Sequence, residues 1–309
     1  MTSETLNVYL GHEYDSVKSK CHRTFNTISQ SLSGKSDGPR TLIANSLDGS
    51  TDQVFRRLEQ IPTTPDSRVW IPEASLDLWP ELLWSSLDRK SVALGPSLDI
   101  FNSRVLERLK QSKNIKILVP SLWVKDFFVK HHELSDSRVI VWPAGIDHNY
   151  WNPCVPEASR YLLLYIKTTL SESELSNVSR FAKQLNLELK KVTYGHYRIK
   201  QFRELLRSSQ GVVWAGSTES QGLAQFESWA MNVPTLVRRA RNFDHLGIGS
   251  ESPYLTNQTG LITQSDHIES TDLQSFSEMM TSFQPRNWIL QNATLGIART
   301  NLLSVFARE

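Results

Sequence analysis

The sequence is poor in cysteine, with only Cys21 and Cys154 among 309 residues, and it has no Cys-x-x-Cys pair or Cys/His cluster. Two cysteines so far apart argue against a disulfide framework and favour a reducing compartment. The first residues lack the charged-then-apolar order of a signal peptide, and no apolar run approaches the roughly 20 residues of a membrane helix. We therefore expect a cytoplasmic protein.

The chain also lacks an excess of either charge. Its 34 Lys and Arg residues nearly balance its 32 Asp and Glu residues, for a formal net charge of +2. A protein that holds nucleic acid non-specifically usually presents a strongly basic surface. The overall charge therefore gives no support to non-specific nucleic-acid binding.

Common nucleotide and metal motifs are missing as well. Gly34-Lys35-Ser36 matches the end of a phosphate loop, but Ser29 stands where that loop needs its first glycine. No Gly-x-Gly-x-x-Gly follows a strand, and no Asp-x-Asp is present to hold a divalent ion on a diphosphate. The adjacent His131 and His132 would point in different directions on a helix. We expect no bound metal.

Short β-rich runs alternating with helical patterns are present along the whole chain. This alternation predicts an α/β protein with parallel sheets. The strand-like runs include "LNVYLG", "RTLIAN", "RVWIPEA", "SVALG", "NIKILVPS", "RVIVWPAG", "YLLLYIK", "LELKKVTYG" and "GVVWAG". Apolar spacing predicts helices in "DQVFRRLEQI" and "SLWVKDFFVKHH", and one long terminal helix in "PRNWILQNATLGIARTNLLSVF".

A turn-rich stretch at 143–159 divides this alternation into two halves of about 150 residues. Each half has the strand–helix alternation of a Rossmann-like domain. Ligands of such domains bind at the carboxyl ends of the parallel strands. We therefore expect ligand-binding residues directly after strands.

The most informative stretch, "STESQGLAQFESWAMNVPTLV", occupies 217–237 and follows a strand-like run. Leu223, Phe226, Ala230 and Met231 are spaced as on one face of a helix, and Glu227 falls on the same stripe. Because burying an unpaired carboxylate is costly, we expect a partner for Glu227. That partner is either a protein donor or a ligand hydroxyl.

The predicted helix begins near Gln221-Gly222, where its first amides form an anion site. Gly222 would let a ligand approach the backbone closely. Glu219 precedes the helix, so the two glutamates could flank one bound molecule with its phosphates between them. The alternative is purely structural, with Glu219 as a capping carboxylate and Glu227 in a salt bridge.

Glu219-x7-Glu227, followed by "AMNVPTLV", resembles the E-x7-E region of retaining GT-B glycosyltransferases of the family-4 type. "VPSLWVKDFF" with "VIVWPAGIDHNYWNP", "ESPYLTNQTGLI" and the terminal Trp288 helix are similar to further segments of that family. The resemblance covers roughly 91 to 309. It implies two Rossmann-like domains whose parallel sheets face a central cleft: an acceptor domain (1–150), a nucleotide-sugar donor domain (151–285) and a C-terminal helix (286–309) that returns toward the first.

The resemblance also implies roles for particular residues. Glu227 would bind the ribose hydroxyls of the nucleotide, Glu219 would lie at the donor sugar, and Lys167 would neutralise the diphosphate. Sugar hydroxyls and diphosphate would meet the amides of Ser220, Gln221, Gly222 and Leu223. The family usually supplies an Arg and a Lys near the diphosphate, whereas this chain has Lys167 alone, followed by "TTLSE".

The acceptor side departs further from the family. The usual glycine-rich loop after the first strand is replaced by "LGHEYDS". His12 stands there at a strand end and is our candidate catalytic residue on the acceptor side. Asn45 and Glu73 are weaker candidates at other strand ends.

The implied function is retaining transfer of a hexosyl or pentosyl group from a nucleotide-diphosphate sugar, linked to UDP or GDP, to an acceptor hydroxyl. No cofactor or metal is expected, and a donor phosphate oxygen would act as the base. The acceptor could be a glycan, a lipid-linked glycan or another hydroxyl compound.

Three alternatives stay open at this stage. Lys167 standing alone fits an inactive nucleotide- or glycan-binding module. A phage-type DNA glycosyltransferase would need a basic N-terminal domain, whereas "RRARNF" lies in the second half. The aromatic and basic "WVKDFFVKHH" could touch a membrane surface, although a core-facing helix is the better explanation.

Overall fold

The structure is a computed structural model that describes residues 7–9, 53–55, 68–71, 91–96, 103–153, 161–240 and 249–307. These residues fall into two compact units. The first contains the described residues up to Gly145 and from Leu295 onwards, and the second is Ile146–Thr294. Each unit has one parallel β-sheet, and described helices connect several of its successive strands, which confirms the predicted α/β class.

The sheet of the first unit has six strands in the order β2-β1-β3-β4-β5-β6. They are β1 (Asn7–Tyr9), β2 (Gln53–Phe55), β3 (Arg68–Ile71), β4 (Ser91–Leu94), β5 (Ile115–Val119) and β6 (Val139–Val141). Two helices, α1 (Ser103–Gln111) and α2 (Leu122–His131), connect β4 to β5 and β5 to β6. Parallel neighbours need such crossovers, because a tight turn can join only antiparallel strands.

The helix predicted in "DQVFRRLEQI" is wrong at Gln53–Phe55, which forms β2 and pairs in parallel with β1. Val54 and Phe55 are residue types that strands prefer. A short apolar run cannot be assigned to helix or strand from periodicity alone, so pairing with β1 decides the outcome. The run "RTLIAN" lies outside the described residues.

The second sheet has five strands in the order β11-β10-β9-β7-β8. They are β7 (Tyr161–Ile166), β8 (Glu188–Thr193), β9 (Ser209–Ala215), β10 (Thr235–Val237) and β11 (Gly260–Ile262). Its helices are α3 (Glu172–Gln184), α4 (Ile199–Arg207), α5 (Leu223–Ala230) and α6 (Ser270–Met279). Buried apolar residues of β7, β9, α3 and α6 form one core on this sheet, including Leu162, Val178, Val213 and Phe276.

The predicted single terminal helix is two helices, α7 (Pro285–Asn292) and α8 (Leu295–Ala307). The helical hydrogen-bond ladder stops where Ala293, at φ −142°, leaves helical geometry and its carbonyl accepts the amide of Ile146. Thr294 then pairs with Ile146 as an isolated β-bridge. Helix α7 belongs to the second unit and α8 to the first.

Two buried tryptophans, Trp70 and Trp142, pack in one core cluster with residues of α8. The indole of Trp142 donates to the carbonyl of Ala298 at 2.7 Å, and that of Trp70 donates to Gly95 at 2.8 Å. Their rings pack edge to face with centroids 5.4 Å apart. Of the described helices, none combines the length and apolar character that crossing a membrane requires.

Candidate active site at the switch point of the second sheet

The order of strands in the second sheet creates a place for a ligand. The chain leaves β7 toward β8 on one side of the sheet, and leaves β9 toward β10 on the other. Connections that diverge from adjacent parallel strands open a crevice at their carboxyl ends, where α/β proteins bind ligands. Lys167 follows β7 and Glu219 follows β9, so both candidates belong to this crevice.

Lys167 is delivered to the sheet edge by the apolar strand β7, whose four central residues are buried. The amides of Lys167 and Thr168 both donate to the carbonyl of Ala215, at 2.9 and 3.1 Å, which ties the start of the loop to the end of β9. The Lys167 Nζ lies 2.8 Å from Oε1 of Glu219 and 4.9 Å from the centre of the Tyr194 ring. The predicted diphosphate cation and the predicted donor-sugar carboxylate are therefore ion-paired.

Glu219 is held at the same edge by its own backbone, because its amide donates to the carbonyl of Ser250 at 2.7 Å. Its side chain is 12% exposed, against 22% for Lys167. Burial raises the pKa of the Glu219 carboxyl, and the Lys167 ammonium offsets this only in part, so the pKa stays above its ordinary value.

Helix α5 begins at Leu223, with Gly222 as its N-cap in the left-handed region at φ 82°. Gly222 offers no side-chain cap to the first amides, and a Cβ at this position would come within 2.5 Å of Gln225 Oε1. Gln225 is itself fully buried and binds the carbonyl of Glu251 and the hydroxyl of Ser252. Glycine is therefore required where the chain enters the helix, and Ser220 and Gln221 lie directly before it.

Helix α5 is not the amphipathic helix that the apolar stripe predicts, because six of its eight residues are buried. On one side Phe226 and Trp229 pack edge to face against Trp288, with centroids 5.5 and 5.4 Å away. Glu227 is only 3% exposed. The burial expected for this carboxylate is present.

The buried surroundings of Glu227 include two tyrosines that the sequence did not single out. The hydroxyls of Tyr165, on β7, and Tyr197, before α4, lie 3.1 Å apart. Burial raises the pKa of both phenols, and the negative charge of Glu227 raises them further. Both phenols therefore stay neutral and keep their hydroxyl protons, so each can donate a hydrogen bond.

The Tyr165 ring also stacks on the indole of Trp214, with centroids 3.9 Å apart and planes only 4° from parallel. Trp214 is buried, and its Nε1 has no hydrogen-bond acceptor in the part of the chain that the structure describes. A Cβ at Gly216 would come within 2.5 Å of this nitrogen and 3.7 Å of Glu219 Oε1. This stack therefore lies directly beside the Lys167–Glu219 pair.

A second cation, Arg238, was also missed. It follows β10 in "PTLVRR" and reaches across the end of β9 to Thr168 and Thr169 in the loop after β7. The sequence signal was the pair of arginines directly after a strand. Strand order is needed to see that β10 lies two strands from β7 and ends at the same edge.

The candidates of the N-terminal half lie outside the described residues. His12, Asn45 and Glu73 therefore stay predictions. His131 and His132 are described, and they pack against the Phe127 ring with centroids 5.2 and 5.1 Å away. Over residues 103–153, 161–240 and 249–307, no three His, Cys, Asp or Glu side chains are grouped so as to hold a metal ion.

Whole-fold comparison with solved structures gives clear matches. A glycosyltransferase from Rickettsia africae aligns over 99% of this chain and 98% of its own, with a TM-score of 0.60 and 11% identity. HepE from Anabaena, solved with UDP, aligns over 99% and 100% of the two chains, with a TM-score of 0.55 and 11% identity. TarM from S. aureus, solved with fondaparinux, α-GlcNAc-glycerol and UDP, aligns over 80% and 57%, with a TM-score of 0.53 and 9% identity.

At the level of sequence, no family model and no curated protein matches the chain. At identities near 10%, the structural likeness shows the fold alone. That fold is the GT-B fold of glycosyltransferases.

Proposed function

We propose that the protein is a glycosyltransferase that takes its sugar from a UDP-linked donor held at the switch point of the second sheet. The observation that carries this proposal is the joining of Lys167 and Glu219 at the ends of β7 and β9, beside the glycine-capped start of α5. Similar folds have been solved with UDP and UDP-glucose, which favours UDP over GDP.

We expect the donor to lie along this edge with its diphosphate at the loop–helix junction and its nucleoside toward α5. The diphosphate would lie between the Lys167 ammonium and the amides of Ser220, Gln221, Gly222 and Leu223, which lead into α5, where the helix dipole favours an anion. Glu227, the fifth residue of the helix, would accept hydrogen bonds from the ribose hydroxyls. Such a diol can satisfy a buried carboxylate that water does not reach.

Donor binding would exchange the partner of Lys167. A diphosphate carries more negative charge than one carboxylate, so it competes with Glu219 for the ammonium. The Glu219 carboxylate would then turn to the hydroxyls of the donor sugar. In the protein without donor, the ion pair with Glu219 would hold the Lys167 ammonium at the site that the diphosphate later occupies.

The transfer itself would retain the anomeric configuration and need no metal, as the resemblance of the Glu219-x7-Glu227 region to retaining GT-B glycosyltransferases implies. The acceptor oxygen forms its bond to the anomeric carbon as the bond from that carbon to the phosphate oxygen breaks. The acceptor proton passes to the departing diphosphate. Lys167 stabilises the charge that grows on this leaving group. His12 is proposed on the acceptor side, where a glycan, a lipid-linked glycan or another hydroxyl compound would bind.

The test is a binding and turnover panel on the full chain with UDP, GDP, ADP and their sugars. Saturation with UDP at one hundred times its dissociation constant should stabilise the protein by about 2.7 kcal/mol in thermal unfolding. UDP release with sugar transfer supports the enzyme. Binding without any turnover identifies the inactive nucleotide-binding module instead, and transfer to DNA identifies the phage-type enzyme. Failure of every nucleotide to bind would overturn the proposal.

A further inference from the structure

Arg238 is an arginine whose side chain is only 13% exposed at the carboxyl edge of the second sheet. Its amide donates to the carbonyl of Trp214 at 2.9 Å, which continues the pairing of β10 with β9. Its guanidinium then spans the end of β9. Nη2 donates to Thr168 Oγ1 at 2.5 Å, and Nη1 donates to the carbonyl of Thr169 at 3.2 Å.

The same guanidinium is anchored by a buried carboxylate. Nη1 lies 3.2 Å from Oε1 of Glu174, whose side chain is 4% exposed. The other oxygen of Glu174 accepts the amide and hydroxyl of Ser171, at 2.8 and 2.9 Å, in a capping box at the start of α3. Oε1 also accepts the amide of Ile268 at 3.3 Å. Glu174 therefore has a fixed position from which it holds Arg238.

The ion pair with Glu174 limits the roles that the Arg238 side chain can have. Its charge is balanced inside the fold by Glu174, so it is poorly suited to act as a second cation on a diphosphate. Its planar fork of donors is well suited to fix two groups at once. Those groups, Thr168 and Thr169, come directly after Lys167.

The loop from Lys167 to Ser171 is then fixed from two sides. Ala215 accepts the amides of Lys167 and Thr168, while Arg238 holds the Thr168 hydroxyl and the Thr169 carbonyl. A lysine carries its ammonium on a flexible stem of four carbons. The region that the ammonium can reach is therefore set by where the lysine backbone is held. Misplacing a charged group by about 1 Å costs up to about a hundredfold in rate.

We propose that Arg238 is a positioning residue for Lys167, holding the 167–171 loop so that the ammonium meets the donor diphosphate. This role rests on the proposed function of Lys167. Arg238 does not replace the diphosphate-binding arginine that the loop lacks; its guanidinium, directly after β10, orders the loop on which the lone lysine stands.

The first test measures the loop directly and needs no activity. Arg238→Lys keeps a positive charge beside Glu174 but loses the fork that binds Thr168 and Thr169. Hydrogen exchange at the amides of Lys167 and Thr168 should accelerate about tenfold, as expected when one or two hydrogen bonds are lost. Arg239→Gln is the matched control, because Arg239 binds Thr263 and not the loop. Unchanged exchange in Arg238→Lys would overturn the proposal.

The second test separates positioning from folding. In Arg238→Lys, with a melting temperature near that of the wild type, kcat with a UDP-sugar should fall about tenfold while KM changes less. Thr168→Val, which removes only the hydroxyl, should show the same split. Wild-type kcat in both variants would contradict positioning. An inactive wild type would count against the proposed function, while the exchange measurement would still decide the role of Arg238 in the loop.

Discussion

Lys167 and Glu219 are 52 positions apart in the sequence, yet the Lys167 Nζ lies 2.8 Å from Glu219 Oε1. Each residue follows a central strand of the second sheet, and the shared edge of β7 and β9 brings them together. The cation proposed for the diphosphate and the carboxylate proposed for the donor sugar therefore neutralise each other here. Removing the charge of Glu219 and removing the charge of Lys167 should therefore change ligand affinity in opposite directions.

Glu219→Gln should strengthen the binding of UDP, because the diphosphate would no longer compete with the carboxylate for Lys167. A roughly fivefold gain is expected, since a partly exposed ion pair contributes up to about 1 kcal/mol. Turnover of a UDP-sugar should fall at the same time, because Glu219 is assigned to the donor sugar. Calorimetric titration with UDP measures the first effect.

Glu204→Gln is the control for this titration, since Glu204 is an exposed residue of α4 paired with Arg207. Its affinity for UDP should equal that of the wild type. If Glu219→Gln instead bound UDP more weakly than the wild type, the exchange of partners at Lys167 would be wrong.

Glu227→Ala should weaken nucleotide binding by about 1.5–3 kcal/mol, the range for hydrogen bonds to a charged group. Ser228→Ala, the next residue of α5 and equally buried, is the matched control and should bind nucleotide normally. Competition with 2′-deoxy-UDP sharpens the assignment, because loss of one ribose hydroxyl should matter in the wild type and not in Glu227→Ala. Unchanged UDP affinity in a folded Glu227→Ala would remove the ribose assignment.

The part of the site that could be predicted from sequence is the part that depends on local residue patterns. Glu219 follows an apolar run and Glu227 falls on an apolar stripe, so strand-end and burial rules single out both of them. Lys167 ends another apolar run, and the family resemblance singled it out. Tyr165 and Arg238 needed more. Tyr165 lies within the apolar run of β7, where a buried tyrosine has no distinctive pattern, and Arg238 required the strand order.

The fold was predictable where elements are long and strongly patterned, as in β7, β9 and α3. The sequence-based prediction failed where a residue distant in sequence decides the local conformation. Gln53–Phe55 becomes a strand because β1 pairs with it, and the terminal helix breaks because Ile146 binds the Ala293 carbonyl. Neither partner can be read from the local sequence.

Chelation should leave activity unchanged, because the sequence has no Asp-x-Asp for a divalent ion on the diphosphate. Lys167 and the helix amides would supply the charge stabilisation instead. UDP release should be equal before and after treatment with EDTA and gel filtration. Complete loss of activity, restored by Mn²⁺ or Mg²⁺, would contradict the metal-free mechanism.

The Glu174–Arg238 pair should make the free energy of unfolding depend on pH in the acid range. Burial favours the neutral carboxyl, but hydrogen bonds from Ser171 and Arg238 outweigh it and lower the pKa of Glu174. Its contribution to the free energy of unfolding is therefore present above the ordinary value of about 4.3 and is lost as the pH falls through the lowered folded value. Urea unfolding at about pH 7 and pH 3.5 should show that the free energy of unfolding falls less with acid in Glu174→Gln than in the wild type. Equal losses would show that this carboxylate does not contribute.

The central claim, that Lys167 stabilises a departing nucleotide diphosphate, is tested most directly by UDP release from a UDP-sugar at saturating donor, with wild type and Lys167→Ala side by side. Charge on the leaving group grows as the glycosidic bond breaks, so Lys167 should matter more in the transition state than in the bound donor. We predict that kcat falls by roughly 10²–10³, with a smaller change in donor affinity. Rates within about threefold of the wild type, as a solvated surface lysine would give, would contradict this role for Lys167.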